Sequence, residues 1–221
     1  MPSDFHKFLK TKLDNRKNEG LYRTLNVYKD LIDFSSNDYL GIAAQNQSGA
    51  GGSRLISGNS TELINLEKSF AEFIGAEAAL LFGSGYLANI GVIPAICDRN
   101  TTIFYDELIH ASLRDGIRLS NASSYSFKHN DNEDLRVKLA KYSGKKLIVS
   151  EVVFSMDGDS PDFNSLFKVA NDSNAELLID EAHSFGIVGS KGVGLISSTN
   201  RIESCFCTVY PLGKALGLTG C

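Results

Sequence analysis

Leu177–Gly189 reads LLIDEAHSFGIVG, and this stretch leaves the fold little freedom. Apolar residues run without alternation from Leu177 to Ile179 straight into Asp180 and Glu181, with His183 two residues on. An apolar run this short and continuous reads as a strand buried on both faces, the situation of a parallel sheet. In open parallel sheets ligands are received at the carboxyl ends of the strands, so these polar residues stand where chemistry would be done. Glycines at 186, 189, 192 and 194 then let the chain turn tightly beside them.

The same unit recurs along the chain. Strands are expected at Ala78–Phe82, Thr102–Tyr105, Ser124–Phe127, Leu147–Val153, Leu177–Ile179 and Cys205–Val209. Helices are expected from Gly83–Tyr86 to just before Asp98, and near 110–119, 132–142 and 163–173. Strands alternating with helices imply an α/β fold, a mostly parallel sheet flanked by helices. Upstream, Phe5, Phe8, Leu9 and Leu13 fall at helical spacing within 3–19, Gly20 stops that helix, and LNVYKDLIDFSS alternates like a short β-ribbon. From Gln45 to Asn59 the chain is rich in Gly, Ser, Asn and Gln, which divides an N-terminal arm (1–45) from a domain (46–221). Leu63, Leu66, Phe70, Phe73 and Ile74 mark an apolar helix face, opened by Asn59 or Ser60 and stopped at Gly75.

With 221 residues, 43% of them hydrophobic, the chain can bury a sizeable core. A net charge of −4 gives no reason to expect nucleic acid or an anionic membrane as partner. No apolar run approaches the ~18 residues of a membrane span, and MPSDFHKFLK lacks the apolar core of a signal peptide, so the cytoplasm is expected. The four cysteines form no CxxC pair. Cys205 and Cys207 alternate on an apparent strand without a nearby His or Cys to complete a metal shell, so they read as buried thiols and no metal is expected.

An acid three residues before a histidine at a strand end can be a satisfied loop pair. DEAH also occurs in nucleotide triphosphatases, but those need G-x-x-x-x-G-K-[ST], and SGAGGSRLISG has no lysine, while Ala215 follows Lys214 where a hydroxyl belongs. The turn Gly83-Ser84-Gly85-Tyr86 links a strand to a helix, whose free N–H groups and dipole suit a phosphate. Lys214, in PLGKALGLTG, is either a surface charge or an amine set among small residues against a planar ligand, the arrangement of a Schiff-base lysine. One cofactor accommodates all three features. Pyridoxal phosphate takes a lysine for its aldehyde, a carboxylate for its pyridinium nitrogen and a phosphate cradle, supplied here by Lys214, Asp180 and residues 83–86.

The chain closely resembles the α-oxoamine synthases, fold-type-I pyridoxal phosphate enzymes that condense an amino acid with an acyl-CoA. FSSNDYLG (34–41), GGSRLISGN (51–59), LLFGSGYLANIGVI (80–93), YDELIHASLRDGIRLS (105–120), FKHND (127–131), EVVFSMDGD (151–159), LLIDEAHSFGIVGSKGVG (177–194) and GKALGLTG (213–220) carry the resemblance, in order. It implies that Lys214 binds the cofactor's aldehyde and removes the α-proton of the bound amino acid, and that Asp180 keeps the pyridinium protonated. His183 and Ser155 would hydrogen-bond the ring's phenolic oxygen, and His110 would stack on the ring face. Ser84, Gly85 and Tyr86 would meet the phosphate or flank the ring, and Asn37 and Tyr39 of the arm could approach the site. Glu151 would support the site from behind, and His129 with Asp131 would form a structural turn. DNRKNEGLYR (14–23) looks most like the 8-amino-7-oxononanoate synthases of biotin synthesis, where Arg23 would face the carboxylate of a pimeloyl thioester. The alternatives are glycine acetyltransferase, serine palmitoyltransferase or 5-aminolevulinate synthase activity, or a non-catalytic truncated fragment. A homodimer, with amino acid and acyl-thioester substrates, is likewise implied.

Three departures from the family pattern stand out. The chain reaches Cys221 seven residues after Lys214, whereas the family continues into a smaller C-terminal domain, so an incomplete large domain is expected. Between Gly41 and Gly51 it is shorter than many relatives. Pro211 occupies a position where many relatives carry a hydroxyl that helps bind phosphate, a donor that proline cannot replace.

Overall fold

The computed structural model describes residues 4–28, 32 and 50–221. The chain forms two compact units. The larger takes in residues up to Leu9, Phe73–Ala76 and Leu81–Cys221, and the smaller takes in Lys10–Glu72 and Glu77–Leu80. Helix α1 spans Asp4–Asn18 and helix α2 spans Thr61–Ile74. Among the described residues no helix is long and apolar enough to cross a membrane.

The larger unit is built on β1 (Thr101–Asp106), β2 (Ser123–Phe127), β3 (Lys145–Glu151), β4 (Glu176–Asp180) and β5 (Cys207–Val209), in the order β2-β1-β3-β4-β5. Every pairing is parallel, in keeping with the apolar runs of the central strands β3 and β4. Five helices accompany the sheet: α3 (Gly85–Ile96), α4 (Ala111–Leu119), α5 (Asn132–Leu139), α6 (Phe163–Asp172) and α7 (Leu195–Ser198). Alternate residues of each strand feed opposite faces. Ile103, Leu147, Val149 and Leu178 pack with Ile93 of α3 and Leu113 and Ile117 of α4. Phe104, Ile148, Leu177 and Ile179 pack with Leu135 of α5, Leu166 of α6 and Ile196 of α7. Both layers are therefore covered, and the polar groups are left at the strand ends.

The helices start where their caps allow. Ser84 Oγ accepts from Leu87 N at α3, Asp131 accepts from Glu133 N and Asp134 N at α5, and Asp162 accepts from Ser165 N at α6. Helix α4 lies so close to α3 that a Cβ on Gly116 would stand 2.5 Å from the Asn89 carbonyl oxygen, which is why glycine is needed there.

Several expectations need correction. Ala78–Phe82 forms no strand: Phe82 exchanges backbone hydrogen bonds with Cys221 alone, at 2.8 and 2.9 Å, and a single pair does not make a ladder. The last strand begins at Cys207 and leaves Cys205 outside it. Residues 25–28 of the expected ribbon are not strand, and most of its remainder lies outside the described residues. The face of α2 is less buried than its spacing implies, with Leu66 and Phe73 exposed and Ala71 and Ile74 buried. Of the two candidate caps for α2, Ser60 does the capping, its Oγ accepting from Leu63 N.

In the smaller unit Arg54 grips Glu67 of α2 through two bonds, of 2.6 and 3.0 Å. It also donates to Asn59 Oδ1 at 3.1 and 2.9 Å. This planar fork ties the glycine-rich GGSRLISGN segment to the helix that follows it. A side chain at Gly58 would meet the Gly52 carbonyl, so the loop closes only with glycine there.

Candidate active site at the strand ends

Asp180 is the last residue of β4, in register with Glu151 on β3 and Val209 on β5. Its side chain is buried, with Oδ1 accepting from Ala182 N at 2.9 Å and Oδ2 from Asn89 Nδ2 at 3.0 Å. Burial pushes its carboxyl above the usual range, while the bonds from Asn89 and Ala182 and the charge of Lys214 pull the other way. Lys214, on the loop after β5, brings Nζ to 2.8 Å from His183 Nε2. Burial first, and then the lysine's charge, hold the His183 imidazolium below its ordinary range. His183 is thus a neutral acceptor at neutral pH, and Lys214 donates to it.

His110 follows β1 and caps α4, its Nδ1 accepting from Ser112 N at 3.2 Å. Its backbone N–H donates to Glu151 Oε1 at 2.5 Å, which makes Glu151 the buried strut beneath the histidine. Burial raises the Glu151 carboxyl to about 7, with the neighbouring Asp180 adding to the effect and the His110 bond opposing it. An acid that ionises less readily folded than unfolded costs nothing below its ordinary value of 4.5, where both states are protonated. Its contribution to stability falls as pH rises from there to about 7, and stays lost above. Glu151→Gln keeps an acceptor for His110 and cannot ionise. Its stability relative to the parent should improve by roughly 3 kcal/mol between pH 4.5 and pH 8, as read by urea unfolding. A difference independent of pH would remove Glu151 from this role.

At the mouth of α3, Ser84 caps the helix, and the N–H groups of Gly85 and Tyr86 precede the first intrahelical bond, an anion-receiving arrangement. Gly85 sits under Pro211: a Cβ there would lie 2.5 Å from the proline ring. The proline therefore occupies this approach with apolar surface, and Ser84 and the backbone remain as donors. The Tyr86 hydroxyl donates to Asp115 on α4 at 2.6 Å, so its side chain is committed to α4 and its backbone is what it offers a phosphate.

Lys214, His183, Asp180, His110 and Glu151 are therefore gathered at one edge of the sheet. Ser155 is exposed on the turn after Phe154 and makes no hydrogen bond to these five among the described residues. Asn37 and Tyr39 lie outside the described residues. Arg23 belongs to the smaller unit, where with Tyr22, Tyr28, Leu55 and Ile56 it lines an open cleft of about 440 Å³. His129 is structural: its ring bridges buried Asp106 and Asp159, each at 2.9 Å, and lies edge-on to Phe154. Asp131 beside it caps α5. Cys205 and Cys207 are held as thiols, burial raising them to about 12 and about 11.

Two residues of the site escaped the reading of the sequence, Asn89 and Ser112, and Glu181, noted there at the strand end, was given no role. Asn89 could have been suspected as the polar residue inside the otherwise apolar helix GYLANIGVIPAI. Glu181 is wholly buried, accepting from Ser184 Oγ and from Leu195 N and Ile196 N at 2.8 and 2.9 Å.

A parallel sheet carrying a lysine, a buried aspartate and a helix mouth at its carboxyl edge is the architecture of the fold-type-I transferases. The chain belongs to the aminotransferase class I and II family, matched over residues 29–221. It is 38% identical to an 8-amino-7-oxononanoate synthase of Alkalilimnicola ehrlichii across 97% of its own length. It spans 62% of that relative, so less than two thirds of it is matched. A serine palmitoyltransferase from S. paucimobilis, solved with a bound PLP–myriocin aldimine, superposes with a TM-score of 0.74 at 27% identity, over 96% of this chain and 61% of that one. An 8-amino-7-oxononanoate synthase from Francisella tularensis superposes with a TM-score of 0.66 at 33% identity, over 86% and 57%.

Proposed function

We propose that the chain is the pyridoxal phosphate-binding part of an α-oxoamine synthase. The proposed reaction is decarboxylative condensation of L-alanine with a pimeloyl thioester to give 8-amino-7-oxononanoate. The observation that carries this reading is Lys214 Nζ lying 2.8 Å from His183 Nε2, at the strand edge that ends in buried Asp180. The curated relatives named as 8-amino-7-oxononanoate synthases support the choice of product.

The residues present fit the cofactor. Lys214 offers a primary amine, Asp180 a buried carboxylate, and Ser84, Gly85 and Tyr86 a helix mouth with free N–H groups. When bound, pyridoxal phosphate supplies an electron sink for the carbanion left by α-proton removal. Asp180 would hold the negative charge opposite the ring nitrogen, fixed by Asn89 and Ala182. Neutral His183 accepts a hydrogen bond from Lys214 Nζ at Nε2 and orients the amine. Freed of its extra proton, Lys214 Nζ would be the base that takes the α-proton of the amino acid. His110, borne on the cap of α4 and strutted by Glu151, would cover the ring face. Ser155 would reach the phenolic oxygen and Asn37 the substrate. Arg23 would meet the acyl carboxylate, and the Tyr22 and Tyr28 rings beside it support a cleft that receives an extended chain. In the same reading residues 1–45 are an arm to the domain at 46–221, and the enzyme is a cytoplasmic homodimer.

The serine palmitoyltransferase superpositions favour one second reading, condensation of L-serine with a long-chain acyl thioester. The deciding experiment is the absorbance spectrum of the purified chain with pyridoxal phosphate, beside Lys214→Ala. A band near the visible edge that is absent from the variant is expected. No band in either protein would overturn the reading for this chain. With a band in hand, product formation from alanine with pimeloyl thioester, against serine with palmitoyl thioester, separates the two substrates.

A further inference from the structure

Asn89 of α3 is 1% exposed, and its amide nitrogen lies 3.0 Å from Asp180 Oδ2 and 3.0 Å from Ser112 Oγ. Ser112 Oγ in turn lies 2.8 Å from His110 Nδ1. The Asn89 oxygen has no hydrogen-bond partner among the described residues. Gly116 lets α4 press against the Asn89 backbone, which brings the two helices together beside Ser112.

We propose that Asn89 is a positioning residue that reads the ionisation of Asp180 and, through Ser112, sets which ring nitrogen of His110 carries the proton. A carboxylate can only accept, so the amide must turn its nitrogen to Asp180. The same nitrogen then donates to Ser112. That hydroxyl, having accepted, has its single proton left for His110 Nδ1, to which Ser112 N also donates at 3.2 Å. Nδ1 is thereby an acceptor, and the ring proton stands on Nε2. Protonating Asp180 reverses every link. The amide turns, its oxygen accepts from the acid and from Ser112, and the Ser112 oxygen then accepts a hydrogen bond from His110 Nδ1–H, which gives up the bond it received from Ser112 N. Two covalent changes accompany the switch: Asp180 gains a proton from solvent, and the His110 ring loses its Nε2 proton to solvent and takes one up at Nδ1, so the imidazole stays neutral.

The charged and titratable groups around the relay are Lys214, His183, Glu151 with Asp106 beyond it, Glu181, Cys207 and Cys221. Among these, Lys214 favours the ionised state of Asp180, while Glu151, Glu181 and the thiols oppose it. The histidine face that the proposed cofactor would meet therefore depends on a group behind the ring. This consequence rests on the function proposed above; the tautomer itself belongs to the chain without any cofactor.

The test is histidine ring-nitrogen NMR of the full labelled chain at neutral pH without cofactor, the His110 signals being identified by their loss in His110→Gln. The expected result for the parent is a proton on Nε2. Ser112→Ala and Asn89→Leu should each give a mixture, the Nδ1–H form rising about fivefold, and Ser112→Thr should restore the parent pattern. Asp180→Asn should reverse the tautomer, because its oxygen stays with Ala182 N and its NH₂ group then faces Asn89. A parent proton on Nδ1 would overturn the proposal, as would tautomers unchanged in Ser112→Ala and Asp180→Asn. Should Asn89→Leu not fold, Ser112→Ala and its threonine rescue decide the matter. The absorbance spectrum with pyridoxal phosphate is recorded separately, so loss of the cofactor reading leaves the tautomer result standing.

Discussion

Asp180→Asn is expected to slow exchange of the α-hydrogen of L-alanine with solvent, in the chain loaded with pyridoxal phosphate, by about 10³-fold. The change is nearly isosteric and leaves Ala182 N its acceptor. What it removes is the buried negative charge that would face the ring nitrogen, and it turns an N–H group toward that position instead. Stability should move the other way. Burial disfavours the charged carboxylate in the parent, so the neutral amide should unfold at the same urea concentration or higher. A folded variant that exchanges the hydrogen as fast as the parent would show that Asp180 does not serve the ring. A variant that unfolds early would show that the carboxylate is held for structure.

Glu181→Ala is expected to lower unfolding stability by about 3–5 kcal/mol. Among the described residues the carboxylate alone accepts from the N–H groups of Leu195 and Ile196 at the start of α7, and it also takes the Ser184 hydroxyl. Gly194 makes room for it: φ there is +91°, and a Cβ would stand 2.6 Å from Oε2. Removing the side chain leaves buried donors unpaired and a void beside Ile196, both of which the folded state must bear. Glu181→Gln keeps one acceptor and should cost about 1–2 kcal/mol. Urea midpoints of the two variants check this. An alanine variant within about 1 kcal/mol of the parent would mean that water satisfies those donors.

Much of the site was legible because its residues follow strands. A parallel strand is marked by its apolar run, and the residue after that run lies at the carboxyl edge whichever neighbours the strand finds. Asp180 and His183 could therefore be assigned to a single edge before any pairing was known. Asn89 and Ser112 were not legible in this way. They sit on helices, and what makes them important is the crossing of α3 and α4 at Gly116, which sequence spacing does not encode.

Local residue patterns suffice for the alternation of strand and helix, the parallel class of the sheet and the chemistry available at its edge. All of these depend on local patterns of burial and on residue type. That Ala78–Phe82 is not a strand follows from the three-dimensional pairing, since a strand exists through its partner's row of backbone groups and Phe82 finds the single residue Cys221. The folded arrangement likewise brings Lys214 to His183, and links Asp180 and His110 through Asn89 and Ser112. Those contacts join residues up to 91 positions apart, and no local pattern can state a distance between them.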